Sequence, residues 1–276
     1  MFKSTFHSHS AYDDGREGLE DYILSAVSKS FSAFGFSGHA PVPFFTGWNM
    51  KEEDLPRYME EAKGLKAKYG SQIDIYTGLE ADFYPGCQDY RKVSGMNYTI
   101  GAVHFIHHPE SGRYLALDGS RQEFEETMNL LYRGKIRGLV EDYYGLLREM
   151  LLKMPPAILA HMDIIRKNNG EGRYFTEEEP WYREAVLNTL EILSLSQTVL
   201  EVNTGGMARG YTKTPYPSPW ILKQCLEMGI PIMVNSDTHH PDTVDYYYSE
   251  TYELLKFIGF KSQRVLYRGK WCDVPL

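Results

Sequence analysis

The sequence predicts an α/β protein, a distorted (β/α)7 TIM-like barrel with a metal site at the C-terminal ends of its strands. Three observations predict it. Seven short runs of apolar, often β-branched or aromatic residues alternate with stretches of helical periodicity, the pattern of a parallel sheet joined by crossover helices. The 276 residues suit one barrel, a fold that commonly takes about 200–250 residues. Histidines and carboxylates recur at the ends of the runs, where parallel α/β sheets gather their ligands.

In chain order, the strand predicted over residues 2–8 runs into His7-Ser8-His9. Residues two apart on a strand face the same way, so these two imidazoles can converge on one ion. A helical stretch at 17–30 leads to the strand 33–38, followed by His39. Helix 51–69 precedes strand 73–80, which ends on Glu80. The segment near 86–95 receives no assignment, and strand 98–105 carries His104 at its close. One long helical stretch, 121–153, leads to strand 157–162 with His161. Helix 176–196, strand 198–203, helix 218–228 and strand 231–236 follow, the last ending in Asp237 and His239, again two apart. After helix 245–258, the tail 262–276 is expected to wrap back over the barrel. No linker or composition shift divides the chain, so one domain over 1–276 is expected. A doubly wound open sheet is the alternative, but no GxGxxG follows the first strand, which argues against a dinucleotide version.

A lone histidine at a strand end is ordinarily a structural one. Six of seven strands delivering a His or an acid at the same end is a different matter, and it points to metal. Neutral imidazole and carboxylate suit Zn, Mn or Fe. Cys87, Cys225 and Cys272 lie far apart, outside any CxxC spacing, so a thiolate site and a disulfide framework are both excluded, and reduced thiols fit the cytoplasm. His107 and His108 are expected in a solvated loop, and His240 is out of phase with Asp237 and His239. Asp13 and Asp14 compete for one role after the first strand, while Asp163 could ligate or orient an imidazole. The formal net charge of −8, from 29 basic and 37 acidic residues, disfavours a nucleic-acid partner. No apolar run is long enough for a membrane span or a signal segment. The expected partner is a small molecule at a locally cationic site.

The chain resembles the polymerase and histidinol phosphatase (PHP) superfamily through His7-Ser8-His9 with Asp14, His39, Glu80, His104, His161 and Asp237-Thr238-His239, in order along almost its whole length. Gly78-Leu79-Glu80 with Asp82, the run from His161 to Arg166, and Glu201-Val202-Asn203-Thr204 with Gly205 and Arg209 are similar to its histidinol-phosphate phosphatases. The resemblance implies a trinuclear centre. His7, His9, Glu80 and Asp237 would hold one metal, and Glu80 would bridge to a second on His104 and His161. Asp14, His39 and His239 would hold a third, Asp14 standing where many members carry His. It implies hydrolysis of L-histidinol phosphate to L-histidinol and phosphate, in histidine biosynthesis, by attack of a metal-bound hydroxide. The alternatives are another PHP phosphoesterase, acting on phosphotyrosine, a sugar phosphate or a small nucleotide, or a non-catalytic metal- or phosphate-binding module.

Charge supports phosphate as the substrate group: three divalent ions against three carboxylates leave the site positive, and a hydroxide with a phosphate dianion would cancel the excess. Arg166 and Arg209 follow strands at the metal end and offer a planar fork for phosphoryl oxygens. Asp82, Tyr84 and Asp118 lie in loops suited to an amine and imidazole. No residue is assigned as general acid.

Overall fold

The computed structural model describes residues 2–276, the side chain of Glu171 excepted. From the N-terminus, β1 (Ser4–Thr5), α1 (Leu19–Ser28), β2 (Ala33–Phe36), α2 (Leu55–Tyr69), β3 (Asp74–Asp82) and β4 (Tyr98–Ala102) build the first half of the barrel. A hairpin of β5 (Phe105–His108) and β6 (Arg113–Ala116) follows, then α3 (Arg121–Tyr132), α4 (Ile136–Lys153) and β7 (Ile158–Leu159). The chain continues through α5 (Pro180–Ser194), β8 (Val199–Asn203), α6 (Gly205–Ala208), α7 (Pro219–Glu227), β9 (Ile232–Asn235) and α8 (Tyr248–Ile258). It ends in the antiparallel hairpin β10 (Ser262–Tyr267) and β11 (Lys270–Pro275).

Seven strands form one sheet in the order β1-β2-β3-β4-β7-β8-β9, every neighbouring pair parallel. The ring closes above β1 and β9. His9 N donates to Thr238 O at 2.9 Å, Phe6 N donates to Asn235 Oδ1 at 2.8 Å, and Ser8 bridges Thr238 in parallel register. The seven expected strands and the barrel are therefore present.

The period of two along each strand explains what fills the ring. Ala33, Tyr76, Tyr98, Ile100, Val199 and Met233 pack together as an apolar plug. Two-residue steps from those positions lead toward the C-terminal ends, reaching His39, Glu80, His104, Glu201 and Asp237. One interior face thus changes from apolar to ligating as it rises. Gly35 and Gly78 leave room for the Tyr98 ring, which a Cβ at either position would strike. The Tyr98 hydroxyl lies 2.6 Å from Phe6 O and 2.8 Å from Phe36 O, tying β4 to β1 and β2 across the barrel.

Helices cover the outside with apolar stripes. On α4, Leu139, Val140, Tyr143, Leu147 and Met150 repeat at helical spacing and are buried. The expected stretch 121–153 is two helices, because Arg133 and Gly134 both adopt left-handed backbone (φ 53° and 76°) and end α3. Ser120 and Glu123 form a reciprocal capping box that starts α3. The segment near 86–95 holds only a short 3₁₀ turn, Tyr90–Lys92. The loop expected around His107 and His108 is the β5–β6 hairpin. The tail does wrap back: Val265 and Leu266 of β10 join the apolar plug, and Gln263 Oε1 accepts from Val234 N at 3.0 Å. Among the described residues, no helix is long and apolar enough to cross a membrane.

Candidate metal centre

Every strand-end histidine and acid expected at the site arrives there. Glu80, buried on β3, lies at the middle of the cluster. Its Oε2 is 3.1 Å from both His7 Nε2 and His39 Nδ1, and its Oε1 is 3.0 Å from His161 Nε2 and 3.6 Å from His104 Nε2. Asp237 Oδ1 is 3.2 Å from His9 Nε2 and 3.7 Å from His7 Nε2. Asp14 Oδ1 is 3.2 Å from His239 Nε2 and 3.9 Å from His39 Nε2. Three groups have ligand atoms close enough to share an ion: His7, His9 and Asp237; His7, Glu80 and His161; and His9, Asp14, His39 and His239. A fourth combines His39, Asp82 and His104.

The donor set fits metal on a further ground. His7 Nε2, His9 Nε2, His39 Nδ1 and Glu80 Oε2 are buried and have no hydrogen-bond partner. An orphaned buried polar atom is costly. Four of them converging on one space, near one another without hydrogen-bonding geometry, are aimed at a shared point between them.

The opposite ring nitrogens are held by carboxylates to which the sequence reading gave no such role. Glu201 Oε1 lies 2.7 Å from His7 Nδ1, while Oε2 accepts from His161 N at 2.8 Å. Asp13 Oδ2 lies 2.6 Å from His9 Nδ1 and accepts from His39 N at 3.0 Å. Asp82 Oδ1 lies 2.8 Å from His104 Nδ1. Such partners fix the ring orientation and raise ligand basicity. The Asp13/Asp14 competition is thereby divided, Asp14 at the cluster and Asp13 behind His9. Asp82 was expected to face a substrate; it orients His104 instead. The signal for Glu201 was its two-residue step from Val199 and Asn203 on the interior face.

Protonation follows this architecture. Burial works against charge on His9, but the Asp13 carboxylate outweighs it and lifts the imidazole to about 10. Burial opposes His104 likewise, and Asp82, Asp118 and Glu80 together raise it to about 10. Asp14 is held well below the usual carboxylate range: burial opposes this, and the His239 hydrogen bond with the nearby His39 and His9 prevails.

Asp237 takes a left-handed conformation (φ 48°) at a sharp turn after β9, a backbone state that an aspartate tolerates better than most residues. Arg209 braces it, Nη2 donating to Asp237 Oδ2 at 2.7 Å and Nη1 to Asp237 O at 2.9 Å. Gly205 makes this possible, since a Cβ there would stand 2.8 Å from both Arg209 Nη2 and Asp237 Oδ2.

A cavity of about 230 Å³ opens over the cluster, walled by Trp48, Asp118, Lys167, Arg209, Tyr211 and Tyr216. Arg209 lines it as expected. Arg166 does not: it donates to Asp163 Oδ2 at 2.7 Å and Thr214 Oγ1 at 3.0 Å, and pairs with Glu177 at 3.0 Å, on the wall of an adjacent groove. Asp163 joins none of the four groups and pairs with no imidazole among the described residues; its Oδ2 accepts from Arg166 and from Ser218 N. The second cation of the cavity is Lys167, 3.7 Å from Asp118 Oδ2. Tyr84 is buried against Phe44 and Tyr114 and does not line the cavity. His107, His108 and His240 stay outside the cluster, as expected.

A parallel barrel with imidazoles and carboxylates interlocked at one mouth, beneath a cation-walled cavity, defines a metal-binding α/β-barrel enzyme. The family model for the PHP domain matches residues 5–205, and the chain belongs to this family. It is 28% identical over 267 residues to the histidinol-phosphatase of Bacillus subtilis (strain 168), covering 90% of this chain and 97% of that one. It is also 28% identical over 250 residues to a probable histidinol-phosphatase of Deinococcus radiodurans, covering 87% and 86%. Its fold matches the crystal structure of histidinol phosphate phosphatase from Lactococcus lactis subsp. lactis Il1403, complexed with Zn, L-histidinol and phosphate. That match has a TM-score of 0.73 at 19% identity and covers 98% of each chain.

Proposed function

We propose that the chain is a metal-dependent phosphomonoesterase that hydrolyses L-histidinol phosphate to L-histidinol and phosphate, a step of histidine biosynthesis. The observation that carries this is the pairing of an orphaned His/Glu cluster on the cavity floor with Arg209 and Lys167 on its walls. The substrate comes from the likeness to the named histidinol-phosphatases and to the fold that holds Zn, L-histidinol and phosphate.

The cluster suits three divalent ions, Zn, Mn or Fe. His7, His9 and Asp237 would hold the first, His104 and His161 the second, and Asp14, His39 and His239 the third, with Glu80 bridging the first two. Bound there, such ions supply a water of lowered pKa, toward about 7, and neutralise the oxygens of an in-line displacement. The protein's own part is positional. Glu201, Asp13 and Asp82 lock the imidazoles in place. Arg209 keeps Asp237 aimed and presents its outer edge to the cavity, where a phosphoryl oxygen would meet it. Lys167, the second cation of the cavity wall, adds a point charge. Asp118, which pairs with Lys167, would also offer a carboxylate to a cationic amine or imidazole.

Residues 206–276 supply β9 and the plugging hairpin of the same barrel, which supports reading 1–276 as one domain. Three free cysteines favour a reducing, cytoplasmic setting. The acidic balance favours a small-molecule partner over nucleic acid.

Phosphate release from chelator-stripped and metal-reloaded enzyme tests the assignment on L-histidinol phosphate, phosphotyrosine, sugar phosphates and nucleotides. The expected profile is metal-dependent and highest in kcat/KM for L-histidinol phosphate. Equal or lower turnover of that ester than of the others would overturn it.

A further inference from the structure

We infer that Trp48, backed by Phe105, is the platform on which the ring of the substrate alcohol stacks, making it the residue that selects aromatic over aliphatic phosphomonoesters. The inference rests on the phosphomonoesterase reading of the site and adds how the part of the substrate beyond the phosphate is chosen. Among the described residues, three aromatic rings besides the imidazoles of the cluster line the cavity: Trp48, Tyr211 and Tyr216. Two of them already carry a cation. Lys167 Nζ sits 4.8 Å from the Tyr211 ring centre, and the Arg166 guanidinium sits 5.8 Å from that of Tyr216. Trp48 does not. One of its faces lies parallel to Phe105, 3° between planes and 5.3 Å between centres, and Phe105 is itself buried. The indole is half-buried, lines the cavity, and has a second face with no aromatic or cationic partner among the described residues.

The platform is held rigid. Phe105 follows the ligand His104 directly in sequence and is edge-on to Phe44, which stacks on Tyr114 at 4.3 Å. The loop bearing Trp48 is tied down on both sides. Met50 N donates to His39 O at 3.0 Å, Asn49 Nδ2 donates to Ala40 O at 2.8 Å, and Tyr90 donates its hydroxyl hydrogen to Pro41 O at 2.7 Å. An aromatic face fixed this way loses little entropy when a planar ring settles on it, and a protonated ring adds cation–π attraction.

The test compares wild type, Trp48→Ala and Trp48→Phe on L-histidinol phosphate and on O-phosphoethanolamine, which has the amine and phosphate but no ring. In Trp48→Ala the ratio of kcat/KM between the two esters should fall by about tenfold, mainly through KM, as expected for loss of one stacking face. Trp48→Phe should restore most of it. L-histidinol should quench tryptophan fluorescence in wild type and not in Trp48→Phe, with Trp181, Trp220 and Trp271 as the constant background. An unchanged ratio, or quenching that survives in Trp48→Phe, overturns the inference. A wild type silent on L-histidinol phosphate overturns the substrate assignment instead. The same variants on phosphotyrosine against O-phosphoethanolamine then judge the platform: selective loss on the aromatic ester supports it, and uniform loss ends it.

Discussion

Glu201 touches four groups on or just past four strands, its own included: the His7 ring, the His161 amide, and the side-chain amides of Asn203 and Asn235, both near 3 Å. Its effect on the site runs through His7, so Glu201→Gln, which keeps the shape and removes the charge, should weaken metal binding roughly 10–100-fold. Competition with a chromogenic chelator measures this, and an unchanged affinity would show that the carboxylate only fills space. The strand-end histidines were legible because each closes a short apolar run. Glu201 was not, because it lies inside its strand and acquires its role from a residue 194 positions away. Arg166 and Lys167 show a different obstacle. They leave a 3₁₀ turn, Ile164–Arg166, where consecutive side chains point about 120° apart. Which of the two cations faces the cavity depends on the turn's rotation, and sequence spacing does not encode that.

At the scale of elements, the barrel strands were readable from apolar runs, but the two hairpins were not. Only Val103 and His104 separate β4 from β5, so a single apolar run conceals a change of direction, and the polar His107-His108-Pro109-Glu110 turn reads as open loop. β11 alternates exposed and half-buried residues and pairs only with β10, so it lacks the apolar density of the barrel strands. Packing between elements also rests on charge in one place. Asp245, just before α8, pairs with Lys3 at 3.2 Å beside β1 and with Lys29 at 2.7 Å at the end of α1. Burial opposes ionisation of this carboxyl, and the two lysines outweigh it and hold its pKa down. A depressed carboxyl contributes stability that is present above the unfolded value of about 3.9 and lost as pH falls through the folded one. Asp245→Asn should therefore lower stability by about 0.5–1 kcal/mol at pH 7, the modest size solvent contact allows, and by almost nothing once both forms are protonated. Denaturant unfolding at pH 7 and near pH 3 checks this; an equal loss at both would assign the effect to packing.

Across the whole molecule, candidate ligands from six strands meet at one mouth of the ring, so bound metal would fasten the barrel on the side opposite the apolar plug and its hairpin. A ligand that binds only the folded state at 100 times its Kd stabilises by about 2.7 kcal/mol, and near 2–4 °C of Tm per kcal/mol in a domain of this size the shift is about 5–10 °C. Chelation should lower Tm by that much, and pH sets the gap. In the metal-free chain His9 and His104 titrate near 10, so metal must displace protons from both at neutral pH. Raised histidines contribute stability to the metal-free fold that is full below about 6.5 and lost as pH rises through the folded value. Over the same range proton competition weakens and metal binding strengthens. These are two views of one proton linkage, and by it the difference in Tm between loaded and stripped protein should widen from pH 6.5 to pH 8.5. Paired thermal melts at fixed free metal measure it. A gap that fails to widen with pH would mean that the carboxylates do not hold His9 and His104 protonated, and that the cluster is preformed for metal without proton exchange.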